Sequence, residues 1–345
     1  MDKLSVNREG EYYCGKSIAI DFVCKYIEER GNSDIKGSRI LVVSDRNVGG
    51  YFYSGFEQQF LDKGVRPQLA IVDAGDMYKN LDAVSEVVKS FVDFDFGSGD
   101  WVIALGGGGI IDVTSFACST YNSDLKLICV PTTLNAMAEG SVAVKAYINS
   151  GSHKNVLGVD NHICSVFADP EFLRSVPDKV RMNGYAAVVR YSVLEDPSLL
   201  SDMTDYSDLR VFLEKVYSTR AAIEKKNPAL LTLGNEIADA IEGYFRFMNY
   251  SEGEALALGI FSAVPERMRD TLKNVYIKTG LPYQLNGVTS RMILKVMGDS
   301  LKRKYRDRLA MVDTAPDRRT WVVKEYSVVE AMQVLGKRIG VICAE

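Results

Sequence analysis

The chain is poor in the groups that usually announce a metal or redox centre. Of its 345 residues only two are histidine, His153 and His162, both in the first half, too few for a centre of three imidazoles. The six cysteines, Cys14, Cys24, Cys118, Cys129, Cys164 and Cys343, are scattered without a Cys-x-x-Cys pair. Most sit in apolar runs, where buried thiols are common, so a disulfide framework is not expected. There is no excess of positive charge. Lys and Arg number 41 against 45 Asp and Glu, a formal charge of −4, which gives no basic field for nucleic-acid phosphates. No run approaches a membrane span, and the opening segment MDKLSVNREGEYYC has no apolar core of the signal-peptide kind. The expectation is a cytoplasmic protein with no nucleic-acid or membrane partner. Internal repeats, low-complexity tracts and long linkers are also missing.

What is present is an ordinary soluble composition, 47% hydrophobic and 25% charged, at a length suited to about two domains. The first half alternates short apolar runs with helical spacing. Ser38–Asp45, Gln68–Asp73, Trp101–Leu105, Leu125–Pro131 and Cys164–Ala168 read as strands. Phe52, Phe56 and Phe60 recur every fourth residue in a helix that ends near Gly64, and Leu81–Val92 has helical periodicity. Such alternation predicts a parallel sheet covered on both faces. Tyr147–Val156 reads as a polar loop or hairpin. Beyond Pro177 almost every segment reads as helix, including Glu252–Ala263 and Glu266–Thr279, with a short hairpin within Leu309–Glu325. The expected architecture is α/β: a parallel-sheet nucleotide-binding domain over residues 1–177, then an all-helical substrate domain over 178–345.

One turn carries chemistry. Trp101-Val102-Ile103-Ala104-Leu105 runs into four glycines, and Ile110-Ile111-Asp112 then opens a helix. Outward-pointing N–H groups at a helix start attract phosphate, and glycine removes the Cβ that would hold it off. The pattern is not Gly-x-Gly-x-x-Gly. It is followed by Val130-Pro131-Thr132-Thr133-Leu134.

These blocks resemble the dehydroquinate synthase family of sugar phosphate cyclases, from about Ser38 to Leu335. The resemblance rests on Asp45 with Asn47-Val48, Gly75-Asp76-Met77-Tyr78-Lys79, the glycine turn, Pro131–Leu134, Lys145, Asn149 and Lys154-Asn155. Gly184-Tyr185-Ala186 and Gly253-Glu254-Ala255 extend it through the second half. More weakly, the chain is similar to iron-dependent alcohol dehydrogenases. The resemblance implies NAD bound by Asp45, Asn47, Lys79, Gly106, Gly107, Gly108, Asp112, Thr132 and Thr133. It gives Lys145, Glu139 and Arg190 catalytic roles and assigns a phosphorylated or carboxylated polyol to Lys154, Asn155 and Lys302. A homodimer follows from the resemblance alone. In the family, oxidised nicotinamide removes hydride from a heptulosonate phosphate, phosphate leaves, hydride returns and the ring closes.

The family's metal ligands are replaced. Its glutamate position is Ala187, and its two histidine positions are Asn235 and Glu252. Zinc is therefore not expected; a hard cation on Asp239 and Glu252 is an alternative. Ile111, at a family glycine, is expected to crowd the pyrophosphate. The expected function is a divergent NAD-dependent cyclase or lyase without the usual zinc site. Its alternatives are a non-catalytic paralogue with a ligand-binding, regulatory or scaffold role, and a metal-independent dehydrogenase.

Overall fold

A computed structural model describes residues 2–4, 10–30, 35–73, 75–122, 124–174, 176–203, 208–305, 307–317 and 320–343. Two compact units emerge. The first comprises Met1–Ser150, Asn155–Arg181 and Leu209–Glu214; the second comprises Gly151–Lys154, Met182–Asp208 and Lys215–Glu345. Each is discontinuous in sequence. The hairpin tip Gly151–Lys154 counts with the second unit and Leu209–Glu214 with the first.

In the first unit the strands are β1 (Asp2–Leu4), β2 (Glu11–Cys14), β3 (Ile40–Ser44), β4 (Gln68–Ile71), β5 (Trp101–Gly106) and β6 (Lys126–Pro131). β7 (Lys145–Ser150) and β8 (His153–Asp160) form a hairpin, and β9 (Ile163–Ala168) rejoins the main sheet. The order is β1-β2-β9-β6-β5-β3-β4. All neighbours pair in parallel except β1 with β2. Every residue of β3 and β5 is buried, which is why both read as unbroken apolar runs rather than alternating ones.

The core packs Tyr13, Val42, Phe56, Phe60, Trp101 and Phe167 together. The fourfold phenylalanine spacing has its cause here: Phe56 and Phe60 are fully buried with ring centroids 5.6 Å apart, each burial stabilising by about 1.5–3 kcal/mol. Cys14, Cys24 and Cys129 are buried free thiols. Burial pushes Cys24 up to about 11, so it holds no thiolate at neutral pH.

The second unit is helical, with an antiparallel hairpin of β10 (Arg308–Thr314) and β11 (Trp321–Ser327) that runs past both ends of the span Leu309–Glu325 expected from sequence. Caps set its helices. Ser251 and Glu254 form a reciprocal capping box at Glu252–Ala263, and Gly280 in the left-handed region closes Glu266–Thr279. Two close approaches hold it together: a Cβ on Gly253 would lie 2.3 Å from Asn183 Cα, and one on Gly259 2.2 Å from the Gly234 carbonyl oxygen.

A buried-edge charge network ties the hairpin to the last helix, Val328–Ile342. Burial pushes the Asp313 carboxyl up, but the hydroxyl of Tyr326 and the cations of Lys324 and Arg338 outweigh it and hold the group below its ordinary value. With the folded value depressed, its contribution is complete above the unfolded value of about 3.9 and is lost as pH falls through the folded value. Asp313→Asn is therefore expected to lower the urea midpoint at pH 7 and to narrow the drop between pH 5 and pH 3. Equal acid sensitivity in both proteins would refute the assignment.

Candidate functional site

In the first unit, β3, β5 and β6 are parallel neighbours, so Ser44, Gly106 and Pro131 end side by side. The carboxyl ends of adjacent parallel strands are where open α/β sheets bind ligands. The loops that leave them carry the expected motifs. Gly107 caps the helix Gly108–Thr120, and the Thr132 N–H donates to the Gly106 carbonyl at 2.9 Å. A Cβ on Gly107 would sit 3.4 Å from Thr133, one on Gly108 4.0 Å from Asn135, and one on Gly109 3.9 Å from the Gly75 backbone. Three motifs separate in sequence thus meet around one turn.

The glycines do not share one purpose. A Cβ on Gly106 would come within 2.8 Å of Ile110, so packing alone requires glycine there. A Cβ on Gly108 or Gly109 would come no closer than 3.9 Å to any described atom outside its own helix and chain neighbours, an ordinary contact. Packing does not explain glycine there, although each costs a helix up to about 1 kcal/mol against alanine. Beside them the Thr132 hydroxyl is buried without a hydrogen-bond partner among the described residues. Ile111 corrects an expectation: it is fully buried in the core, and a side chain crowding the turn would be exposed to it.

Asp45 caps the helix Arg46–Leu61; its carboxylate accepts from the N–H groups of Asn47 at 2.8 Å and Val48 at 3.0 Å. Thr133 likewise caps Leu134–Ala138, accepting from the Ala136 N–H. Lys79 is buried, its ammonium 2.6 Å from Asp112 and donating to Asn155 Oδ1 at 3.2 Å. Asn149 holds this arrangement. Its N–H donates to the Lys79 carbonyl, its amide to the Asp76 carbonyl, and its Oδ1 accepts from the Asn155 N–H. Asn155 has φ +53, a conformation asparagine tolerates better than most residues. Asn149, one of the residues on which the resemblance rests, is a buried amide near the end of β7.

The expected catalytic residues fall in both units, Lys145 and Glu139 in the first and Arg190 in the second. Lys145 is exposed and paired with Asp160 at 2.9 Å. That hydrogen bond holds its ammonium above the ordinary value, leaving a fixed cation rather than a proton acceptor at neutral pH. Glu139 is half-buried, its N–H donating to the Asn135 carbonyl at the end of Leu134–Ala138. Lys302 lies on the last turn of Ser290–Lys304, and its side chain is outside the described residues.

In the second unit Arg190 is buried and donates to Asn235 Oδ1 at 2.7 Å. Ala187, one turn before Arg190 on the helix Asp178–Leu194, is fully buried. Lys154 is buried with its ammonium 2.7 and 2.9 Å from the two Glu242 oxygens and 3.0 Å from Glu252. Glu242 escapes the sequence reading. The clue is a carboxylate beside Ile241 and one turn after Ala238, on the buried face of Asn235–Tyr244. Among the described residues, no three His, Cys, Asp or Glu side chains gather as a metal-holding group.

Comparison with known proteins gives the same frame. The family model for the 3-dehydroquinate synthase N-terminal region matches residues 69–183. The chain is 26% identical over 330 residues to a 3-dehydroquinate synthase of Clostridium kluyveri, covering 89% of each. It is 28% identical over 306 residues to that of Prochlorococcus marinus, covering 80% of this chain and 84% of the relative. Among solved structures, a 2-epi-5-epi-valiolone synthase from Streptomyces hygroscopicus with NAD+ and Zn2+ bound superposes with TM-score 0.77 at 19% identity, covering 98% of this chain and 99% of that one. A 2-deoxy-scyllo-inosose synthase complexed with carbaglucose-6-phosphate, NAD+ and Co2+ gives 0.78 at 20% identity, covering 97% and 99%. An iron-containing alcohol dehydrogenase gives 0.65 at 14% identity, covering 98% and 99%. The chain is thus similar over most of its length to 3-dehydroquinate synthases and shares the fold of these solved synthases.

Proposed function

We propose that this chain is an NAD-dependent cyclase or lyase that acts on a phosphorylated or carboxylated polyol without the family's usual zinc site. The observation that carries it is the turn at Gly108 and Gly109. A Cβ at either of these two helix-first-turn glycines would meet its described neighbours only at ordinary contact distance, so packing does not require glycine there, and the nearby Thr132 hydroxyl is buried without a partner among the described residues. Those features fit a dinucleotide pyrophosphate, with the N–H groups of the helix start as its donors. When bound, NAD supplies reversible hydride removal from a secondary alcohol. The residues of the chain do the rest: the turn seats the phosphates, while Lys79, Asp112, Asn149 and Asn155 fix the loop beside it. A phosphorylated substrate is in keeping with the carbaglucose-6-phosphate held by the inosose synthase. From the family resemblance we also propose a homodimer and a cytoplasmic location; no helix among the described residues is long and apolar enough to cross a membrane.

Against zinc stand three side chains. Ala187 has no donor atom, the Asn235 oxygen accepts from Arg190, and Glu252 accepts from Lys154. These positions do not fit a zinc ion, so no catalytic step is assigned to one. The same three replacements favour a second reading, a non-catalytic paralogue that keeps the ligand site.

Calorimetric titration of the metal-analysed protein with NAD tests the first reading. Micromolar binding is expected, and Gly109→Val should weaken it about tenfold or more while the melting temperature changes little. No detectable NAD binding would overturn the enzyme reading. Binding without turnover across a panel of sugar phosphates would select the paralogue.

A further inference from the structure

The sequence holds two Asn-Gly pairs, Asn183-Gly184 and Asn286-Gly287, identical as dipeptides and opposite in setting. In such a pair no Cβ shields the glycine nitrogen, so it can close onto the asparagine Cγ wherever the two atoms are free to meet. Asn183 is held back. It lies inside the helix Asp178–Leu194, where Gly184 is buried and its N–H belongs to the helical ladder. Its Oδ1 accepts from the Ser251 hydroxyl at 2.6 Å, and a Cβ on Gly253 would lie 2.3 Å from Asn183 Cα, so the backbone there has no room to turn. Asn286 has none of these restraints. It is exposed with Gly287 in the connection between the helices Glu266–Thr279 and Ser290–Lys304. Neither its side-chain amide nor the Gly287 N–H has a hydrogen-bond partner among the described residues. A Cβ on Gly287, at φ +76, would meet nothing within 4 Å beyond its chain neighbours.

We infer that Asn286 modifies itself spontaneously to aspartate and isoaspartate in the folded protein, and that Asn183 does not. The Gly287 nitrogen bonds to Asn286 Cγ, and the side-chain nitrogen leaves as ammonia with the proton from the Gly287 N–H. A water molecule then opens the cyclic imide. Cleavage at Cγ gives aspartate, while cleavage at the main-chain carbonyl carbon gives isoaspartate, in which the chain runs on through Cβ and Cγ. Either product replaces a neutral amide by a carboxylate and makes the chain more acidic. Isoaspartate also lengthens the main chain, and the neighbours leave little slack. The Leu285 N–H donates to the Ile342 carbonyl at 2.7 Å, and the Asn286 N–H donates to the Tyr250 hydroxyl at 3.3 Å. Val288 is buried just before the helix Ser290–Lys304. The extra carbon therefore pushes on the start of that helix.

The test incubates the full-length protein in mildly alkaline buffer, once folded and once in urea. The tryptic peptides Thr279–Arg291 and Met182–Arg190 are then followed by mass spectrometry for exchange of the amide for a carboxyl, with isoaspartate separated from aspartate by retention time. In the folded protein Asn286 should convert about tenfold or more faster than Asn183. In urea, where the helix and the Ser251 contact are gone, the two should convert at comparable rates. Equal rates in the folded protein would overturn the inference, because the setting would then make no difference. An Asn286 that stays intact in the folded chain and reacts only in urea would overturn it as well. Asn286→Asp, which carries the charge without the added carbon, should melt with fresh wild type, whereas the isoaspartate form isolated by ion exchange should melt lower. Equal melting temperatures for those two forms would overturn the push on the helix Ser290–Lys304.

Discussion

Lys79→Met is expected to destabilise the first unit by about 3 kcal/mol. Removing one partner of a buried ion pair costs about 3–5 kcal/mol, because the remaining charge is left in low dielectric without its counter-ion. The Lys79 side chain is 6% exposed and that of Asp112 19%, and water at Asp112 screens part of the effect, so the lower end applies. Methionine keeps most of the volume, which makes the loss one of charge rather than packing. It also removes the donor to Asn155 Oδ1. Adding Asp112→Asn should restore most of the stability, since the stranded charge is gone and the amide oxygen still accepts from the Tyr147 N–H. The chain has two tryptophans, and Trp101 lies in the first unit while Trp321 lies in the second. Urea unfolding followed by Trp101 emission in a Trp321→Phe background therefore reports the affected unit. A double-mutant cycle should give a coupling near 2 kcal/mol. A single variant within about 0.5 kcal/mol of wild type would show that the pair contributes no more than a surface contact.

Sequence made some of this readable for identifiable reasons. Trp101–Gly106 and Ile40–Ser44 are buried on both faces, so their identity as strands is written in the residues themselves. Glu252–Ala263 is bounded by its own caps. By contrast β2 is four residues, Glu11 to Cys14, with no apolar alternation, and it becomes a strand because β9, some 150 residues later, offers it an edge. The helical run expected over Leu231–Phe247 is shorter at both ends. Pro228–Thr232 winds as a tight 3-10 turn, and Gly234 at φ +90 breaks the chain before Asn235.

The candidate site divides the same way. The glycine turn and Pro131–Thr133 are contiguous motifs and stand out in sequence. That packing requires glycine at Gly106 but not at Gly109 depends on neighbours brought by folding. The Lys154 contacts join residues 88 and 98 positions apart, and nothing local marks Glu242 as a partner. Charges that meet only in three dimensions leave composition unchanged.

Gly259→Ala should be a strongly damaging single-methyl change in the second unit. Its Cβ would lie 2.2 Å from the Gly234 carbonyl oxygen and 3.0 Å from the carbonyl carbon, both backbone atoms that have no alternative rotamer. Gly234 is constrained in return, since a Cβ there would meet the Ile260 N–H nitrogen at 2.8 Å. Alanine gains about 1 kcal/mol in helix propensity over glycine, whereas overpacking costs about 1–3 kcal/mol and sometimes more. With backbone on the far side of the contact the upper end applies, for a net loss of about 2 kcal/mol or more. The strain falls on the residue that leads into Asn235, so the Arg190–Asn235 hydrogen bond should loosen with it. Gly298→Ala is the counterpart. It is also a helical glycine, but its nearest neighbour is the flexible Met332 Cε at 3.5 Å, so propensity acts alone and a gain of up to about 1 kcal/mol is expected. Urea unfolding followed by far-ultraviolet circular dichroism measures both. Opposite signs from the same added methyl would show that close backbone approach, not helix propensity, fixes glycine at position 259; a neutral or stabilising Gly259→Ala would mean that the two helices separate at little cost.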